Sequence, residues 1–157
     1  MLQQGDKAPE FEGVDQDGNL VRSSDYQSKK YVVFFYPKAN TPGCTSEICD
    51  LRDHYAELKS KGYDLLGVSA DTVAKQKKFQ EKYRFPFPLL ADEGKDIIQA
   101  FGVWGRKKFL GIEFNGILRK TFIINEQGFI TRVIEDVKTK AHAAQILNQE
   151  RCMREKG

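Results

Sequence analysis

The chain has 157 residues, 30% of them charged, and a formal net charge of +3. That length predicts one domain, 1–157, able to bury a core without disulfides or metals. Lys and Arg are scattered among Asp and Glu, which excludes the basic stripe of a nucleic-acid binder, and no apolar run approaches the ~18 residues of a membrane span.

Three cysteines is an odd number. The opening Met1-Leu2-Gln3-Gln4-Gly5-Asp6 has neither the basic nor the apolar region of a secretory leader. Free thiols used catalytically in a reducing, cytoplasmic setting are expected, rather than a disulfide framework.

In chain order, residues 10–23 read as a hairpin about Asp17-Gly18. A polar connection, Ser23 to Lys30, leads to six residues, Tyr31 to Tyr36, all β-branched or aromatic. A buried central strand needs such a run, and Pro37 ends it because proline cannot donate to the ladder. Thr41-Pro42 reads as N-cap and first helical residue. The predicted helix runs from about Pro42 to Lys59, with Gly62 as its stop. Cys44, Ile48, Leu51, Tyr55 and Leu58 fall on one apolar stripe of it, facing the core. Tyr63 to Val68 is a second apolar strand, so strand, helix and strand make a right-handed parallel crossover.

Ser69 to Thr72 offers caps for a helix of about 72–83, with Phe79 and Tyr83 on one face, and Phe85-Pro86-Phe87-Pro88 breaks it. Leu89-Leu90 is a short strand. Gly94 to Phe101 is a short helix with Ile97, Ile98 and Phe101 inward, and 103–116 is a loop or short hairpin. The short basic clusters at 75–78 and 106–108 read as solvated faces. Leu118 to Asn125 and Phe129 to Asp136 form a hairpin about Glu126-Gln127-Gly128. A last helix runs from about Thr139 toward Cys152. The expected architecture is α/β, a central mixed sheet flanked by helices with an N-terminal hairpin extension.

The chemistry gathers at Cys44. It occupies the first turn of its helix, where backbone N–H groups lack partners and the dipole is positive, so a thiolate is favoured there. A helix N-terminus just past a strand end is also where open α/β folds bind ligands. Cys49 follows five positions later. Helix geometry puts two such Cα atoms ~8.6 Å apart, whereas a disulfide wants less than about 7 Å. Either the two cysteines are unrelated or the helix unwinds. Arg119, at the start of a strand antiparallel to 31–36, is placed at the same sheet edge and within reach of Cys44.

Pro37-x-x-x-Thr41-x-x-Cys44 resembles the active-site motif of the peroxiredoxins, and a second cysteine five residues on is similar to the peroxiredoxin Q, or bacterioferritin comigratory, group. Gly5-Asp6-Lys7-Ala8-Pro9, Phe101-Gly102-Val103-Trp104-Gly105 and 116–125 extend the resemblance over nearly the whole chain. It implies a thioredoxin-like fold and a thiol peroxidase. Cys44 attacks the peroxide to give a sulfenic acid, and Cys49 resolves it as an intramolecular disulfide. Thioredoxin recycles the enzyme, with no metal or organic cofactor. Arg119 and Thr41 act on the peroxide, Pro37 shapes the loop, and Glu47 holds the arginine. A monomer suffices, because both redox cysteines lie in one helix. His54 and His142 have no ligand-spaced partners, and Cys152 is expected to be inert.

Two other readings compete. Thiol–disulfide oxidoreductases use Cys-x-x-Cys and a proline before the antiparallel strand. Here the spacing is Cys-x-x-x-x-Cys and Ile117 to Thr121 has no proline. A non-enzymatic redox sensor or chaperone-like module is disfavoured by the intact Pro37, Thr41, Cys44 and Arg119.

Overall fold

The computed structural model describes residues 2–147. Its centre is β3 (Lys30–Phe35), whose residues from Tyr31 onward are buried. Alternate side chains of this run feed two cores. Val32, Phe34 and Tyr36 pack with Ile48, Leu51 and Phe79, while Tyr31, Val33 and Phe35 pack with Ile98, Phe101 and Phe122. A strand apolar on both faces is what a sheet covered on both sides requires.

The chain reaches β3 through the hairpin β1 (Glu12–Val14) and β2 (Leu20–Arg22) and a short 3-10 turn, Ser23–Tyr26. Gly18 supplies the positive φ of the hairpin turn, 77°. After β3 come α1 (Pro42–Asp53), α2 (Tyr55–Ser60) and β4 (Tyr63–Ser69), then α3 (Val73–Tyr83), β5 (Leu89–Ala91) and α4 (Asp96–Ala100). The hairpin β6 (Trp104–Phe109) and β7 (Ile112–Ile117) follows, then β8 (Thr121–Ile124) and β9 (Ile130–Ile134). The central sheet has the order β5-β4-β3-β8-β9. β3, β4 and β5 are mutually parallel, and β8 runs antiparallel to both β3 and β9. No helix among the described residues is long and apolar enough to cross a membrane.

The expected mixed sheet, flanking helices and N-terminal hairpin are all present. Three local expectations need correction, and 103–116 takes the hairpin form of its two expected alternatives. The helix expected over Pro42 to Lys59 is interrupted at His54 (φ −109°, ψ 13°), whose ring Nδ1 lies 2.8 Å from the Asp50 carbonyl. The Asp50 carbonyl is shared there between the His54 N–H, 3.2 Å away, and the His54 ring, and α1 and α2 part at this residue. The strand expected from Leu118 is paired only over Thr121–Ile124, because the Leu118 N–H turns away to the Val103 carbonyl at 2.7 Å. Segment 103–116 is a hairpin, its two-residue loop Leu110-Gly111 having positive φ at both positions. That is the backbone a tight primed turn needs. The C-terminal helix starts at 142 rather than 139, and Cys152 lies outside the described residues.

One contact tests the packing of β4 on β3. A Cβ added at Gly67 would sit 2.8 Å from the Phe34 ring and 2.9 Å from Leu89 Cδ2. Gly67→Ala should therefore lose ~1–3 kcal/mol by overpacking. Urea denaturation should show a lowered midpoint at unchanged slope; an unmoved midpoint would contradict the contact.

Candidate active site

Beyond β3 the chain turns into α1 through 37–41. Tyr36 is the last buried residue, and its hydroxyl donates to Gln76 Oε1 at 2.6 Å. Pro37 then opens the loop, clear of the ladder. Asp71, from the β4–α3 connection, accepts from the Ala39 N–H (2.7 Å) and the Ser69 hydroxyl (2.7 Å). The loop is thereby tied to the neighbouring strand end. Sequence reading placed Asp71 only among possible helix caps, since its partner lies 32 residues away.

Thr41 is the N-cap residue, extended at φ −99° and ψ 154°, with Pro42 following. The first helical bond runs from Thr45 N–H to the Thr41 carbonyl, 2.8 Å. The Thr41 hydroxyl does neither of the two things expected of it. It donates back to the Lys38 carbonyl at 2.8 Å instead of capping the helix or turning to the sulfur. A short hydroxyl commonly makes such local bonds.

Cys44 is 1% exposed, on the core side of α1. Arg119 Nη2 lies 3.2 Å from its Sγ, and Nη1 donates to Glu47 Oε1 at 2.5 Å. A Cβ at Gly43 would lie 3.5 Å from Nη2, so the guanidinium spans the first turn of the helix. Arg119 comes from the connector between β7 and β8, not from a strand. Because β8 pairs antiparallel with β3, with Thr121 opposite Phe34, residues just before β8 fall beside the C-terminal end of β3. The first-turn amides of Gly43 and Cys44 carry no intrahelical acceptor.

Glu47 is fully buried. Burial pushes its carboxyl from 4.5 up to about 7, and the Arg119 charge and hydrogen bond offset only part of that. Its Oε2 has no hydrogen-bond partner among the described residues. The charge of Arg119 is opposed by burial but favoured by Cys44 and Glu47 on either side, with a net upward shift.

Cys49 is on the same unbroken helix, partly exposed, and burial raises its thiol. Neither described cysteine is in a disulfide. Lys107, read from sequence as part of a solvated cluster, is half-buried instead. Its Nζ donates to the Ile117 carbonyl at 2.9 Å, two residues before Arg119. Burial lowers its pKa, and the neighbouring Arg119 charge lowers it further. No group of three metal-ligating side chains meets among the described residues. A concavity of about 780 Å³ lined by Lys7, Phe11, Tyr26 and Asn125 lies elsewhere on the molecule and contains none of these residues.

The arrangement is a nucleophilic sulfur at a helix N-terminus, flanked by a fixed cation and two free backbone donors. It suits attack on an electrophile whose leaving atom gains negative charge.

Comparison with known proteins agrees with that chemistry. Residues 4–133 match the model of the AhpC/TSA family. Peroxiredoxin Bcp of Escherichia coli is 46% identical over 147 residues, 94% of each chain. The peroxiredoxin Q structure of Xylella fastidiosa superposes with a TM-score of 0.90 over 98% of both chains, at 28% identity. The bacterioferritin comigratory protein of Xanthomonas campestris, described by its alkyl peroxide reduction activity, gives 0.84 over 91% of both chains at 30% identity.

The raised carboxyl of Glu47 links stability to pH. Between its unfolded value near 4.5 and its folded value near 7, the native state holds the proton and the unfolded chain does not. Stability therefore falls as pH rises through this window, by up to about 3 kcal/mol at ~1.4 kcal/mol per pH unit. Glu47→Gln should abolish that part of the loss. Denaturation at about pH 5 and about pH 8 measures it; a variant with the same decline as wild type would contradict the assignment.

Proposed function

The chain belongs to the AhpC/TSA family as a thiol-dependent peroxidase of the Bcp and peroxiredoxin Q kind, and from that premise we propose that Cys44 attacks the peroxide and Cys49 resolves the product. The observation that supports this most directly is the guanidinium of Arg119, held by a buried carboxylate and 3.2 Å from the Cys44 sulfur.

The Cys44 thiolate attacks the terminal oxygen of the hydroperoxide. The S–O bond forms, the O–O bond breaks, and the leaving oxygen takes a proton to give water or an alcohol. Ionising the sulfur is not enough, because a more stable thiolate is also a weaker nucleophile. The remaining acceleration comes from aligning the peroxide and stabilising the departing oxygen. Arg119 and the amides of Gly43 and Cys44 do this, and the Thr41 hydroxyl joins them by rotating off the Lys38 carbonyl. Pro37 sets the loop, and Glu47 positions Arg119.

Cys49 then attacks the Cys44 sulfur, forming the disulfide and expelling water. Thioredoxin or a similar dithiol reduces it. Alkyl hydroperoxides join hydrogen peroxide as substrates, in keeping with the activity described for the Xanthomonas protein. The cycle needs one domain, one subunit, no cofactor and a reducing cytoplasm.

Peroxide consumption coupled through thioredoxin and its reductase to NADPH oxidation tests this reading. Cys44→Ser should show no turnover, and substantial turnover in that variant would refute the assignment. Arg119→Ala should slow the reaction of Cys44 with peroxide roughly 100- to 1,000-fold with the fold intact. A rate within about threefold of wild type would remove Arg119 from the reacting centre.

The two cysteines lie ~8.6 Å apart at Cα while α1 is intact, beyond the roughly 7 Å a disulfide spans. Oxidation should therefore melt helix between them, raising amide exchange over about 43–53 and lowering far-UV helicity, both reversed by reduction. Cys49→Ser should react once and then overoxidise at Cys44. A Cys44–Cys49 disulfide across an undisturbed helix would rule this out.

A further inference from the structure

Beside Glu47 lies a second buried titratable group. His142, at the start of the C-terminal helix, is fully buried, and its Nε2 is 3.9 Å from Glu47 Oε2, the orphaned oxygen. Its protonation pattern can be read from its partners. The Gln145 amide is oriented by donating to the Asp136 carbonyl (2.8 Å) and accepting from the Lys138 N–H (2.9 Å). Gln145 Oε1 therefore faces His142 Nδ1 at 2.9 Å, so Nδ1 carries the proton. Burial lowers the His142 pKa and keeps the ring neutral. Nε2 is then an acceptor, 2.8 Å from the Thr121 hydroxyl. A buried carboxylate oxygen thus faces a buried lone pair, with no proton between them. The charged groups acting on His142 are Asp50 of α1, Arg132 of β9 and Arg119.

We propose that Glu47 and His142 share one buried proton, held while Cys44 is a thiolate and released when the sulfur becomes a neutral sulfenic acid. The proposal rests on Cys44 being the attacking sulfur. With the proton in place, on Glu47 Oε2 or on Nε2, two bare acceptors no longer face one another; a hydrogen bond between them needs the 3.9 Å gap to close by about 1 Å, and the Thr121 hydroxyl rotates to suit. Arg119 then faces one full anion, the thiolate. Attack on ROOH forms the S–O bond, breaks the O–O bond and consumes a proton at the leaving oxygen, giving Cys44–SOH and ROH. As the sulfur loses its charge, the pair releases its proton to solvent and Glu47 becomes the anion facing Arg119. Net proton uptake from solution is zero, and the buried cation is never uncompensated. His142 touches neither sulfur nor peroxide; it is a positioning residue acting through Glu47.

Proton counting tests this. Cys49→Ser protein, in which Cys44 is confirmed as thiolate by its ultraviolet absorbance, is mixed with one equivalent of hydrogen peroxide in weak buffer with a pH indicator. Sulfenic acid at Cys44 is counted in parallel by chemical trapping and mass spectrometry. Uptake close to zero is expected, rising to about one proton per sulfenic acid when Glu47→Gln or His142→Phe is added. The isosteric Glu47→Gln carries the test if His142→Phe folds poorly. Uptake of about one proton in the Cys49→Ser parent, or no change on adding Glu47→Gln, overturns the shared proton alone. Peroxide consumed with no sulfenic acid on Cys44 overturns the reading of Cys44, and this inference with it.

Discussion

A carboxylate sealed from water holds the cation of this site in place. Glu47 has no exposed surface, whereas the Arg119 side chain keeps 23%. Removing a carboxylate from water costs several kcal/mol, and one ion pair repays that only in part. The pair is therefore poor evidence of stability and good evidence of placement. A guanidinium pinned at one nitrogen has little freedom left, so its other nitrogen stays on the sulfur. Electrostatic stabilisation of a reacting group depends on donors that need no rearrangement at the moment of reaction.

The same helix carries both cysteines and the carboxylate that holds Arg119. α1 presents Cys44, Glu47 and Ile48 to the core, while Cys49 lies on its less buried side. Polar contacts tie it to the rest of the protein, one of them Arg52 Nη1 donating to the Tyr83 carbonyl at 2.8 Å. Glu47 meets Arg119, and Asp50 Oδ2 accepts the Ala143 N–H at 2.8 Å. The opening proposed for resolution would break such contacts, and their re-forming would reset the site. The break at His54 separates α1 from α2, which packs through Leu58.

Sheet topology explains why distant residues converge here. The parallel β3–α1–β4 crossover aims the end of β3 at the N-terminus of α1, and the antiparallel β8 returns to that same edge. The β7–β8 connector then delivers Arg119, and the β4–α3 connection delivers Asp71. The β6–β7 hairpin leans Lys107 in from outside the central sheet.

Much of this was legible locally. The six-residue apolar run of β3, the Thr41-Pro42 start of α1, the stop at Gly62 and the Asp17-Gly18 turn are set by short-range sterics and periodicity, which the order of residues carries directly. The positions of Cys44 and Cys49 in one helix followed from the same rules. Other features had no local signal. Glu47 and Arg119 are 72 residues apart, and only the family resemblance, not any pattern near either residue, implied that they meet. A glutamate in a helix looks the same in sequence whether it is solvated or sealed. His142 gave no signal either, because its partners come from α1, β8 and its own helix. The Thr41 hydroxyl and the burial of Lys107 were likewise misread, since each depends on which carbonyl happens to lie within reach. Local backbone choices are governed by neighbours in the chain, whereas burial and the meeting of charges are decided only when the sheet closes and water is excluded.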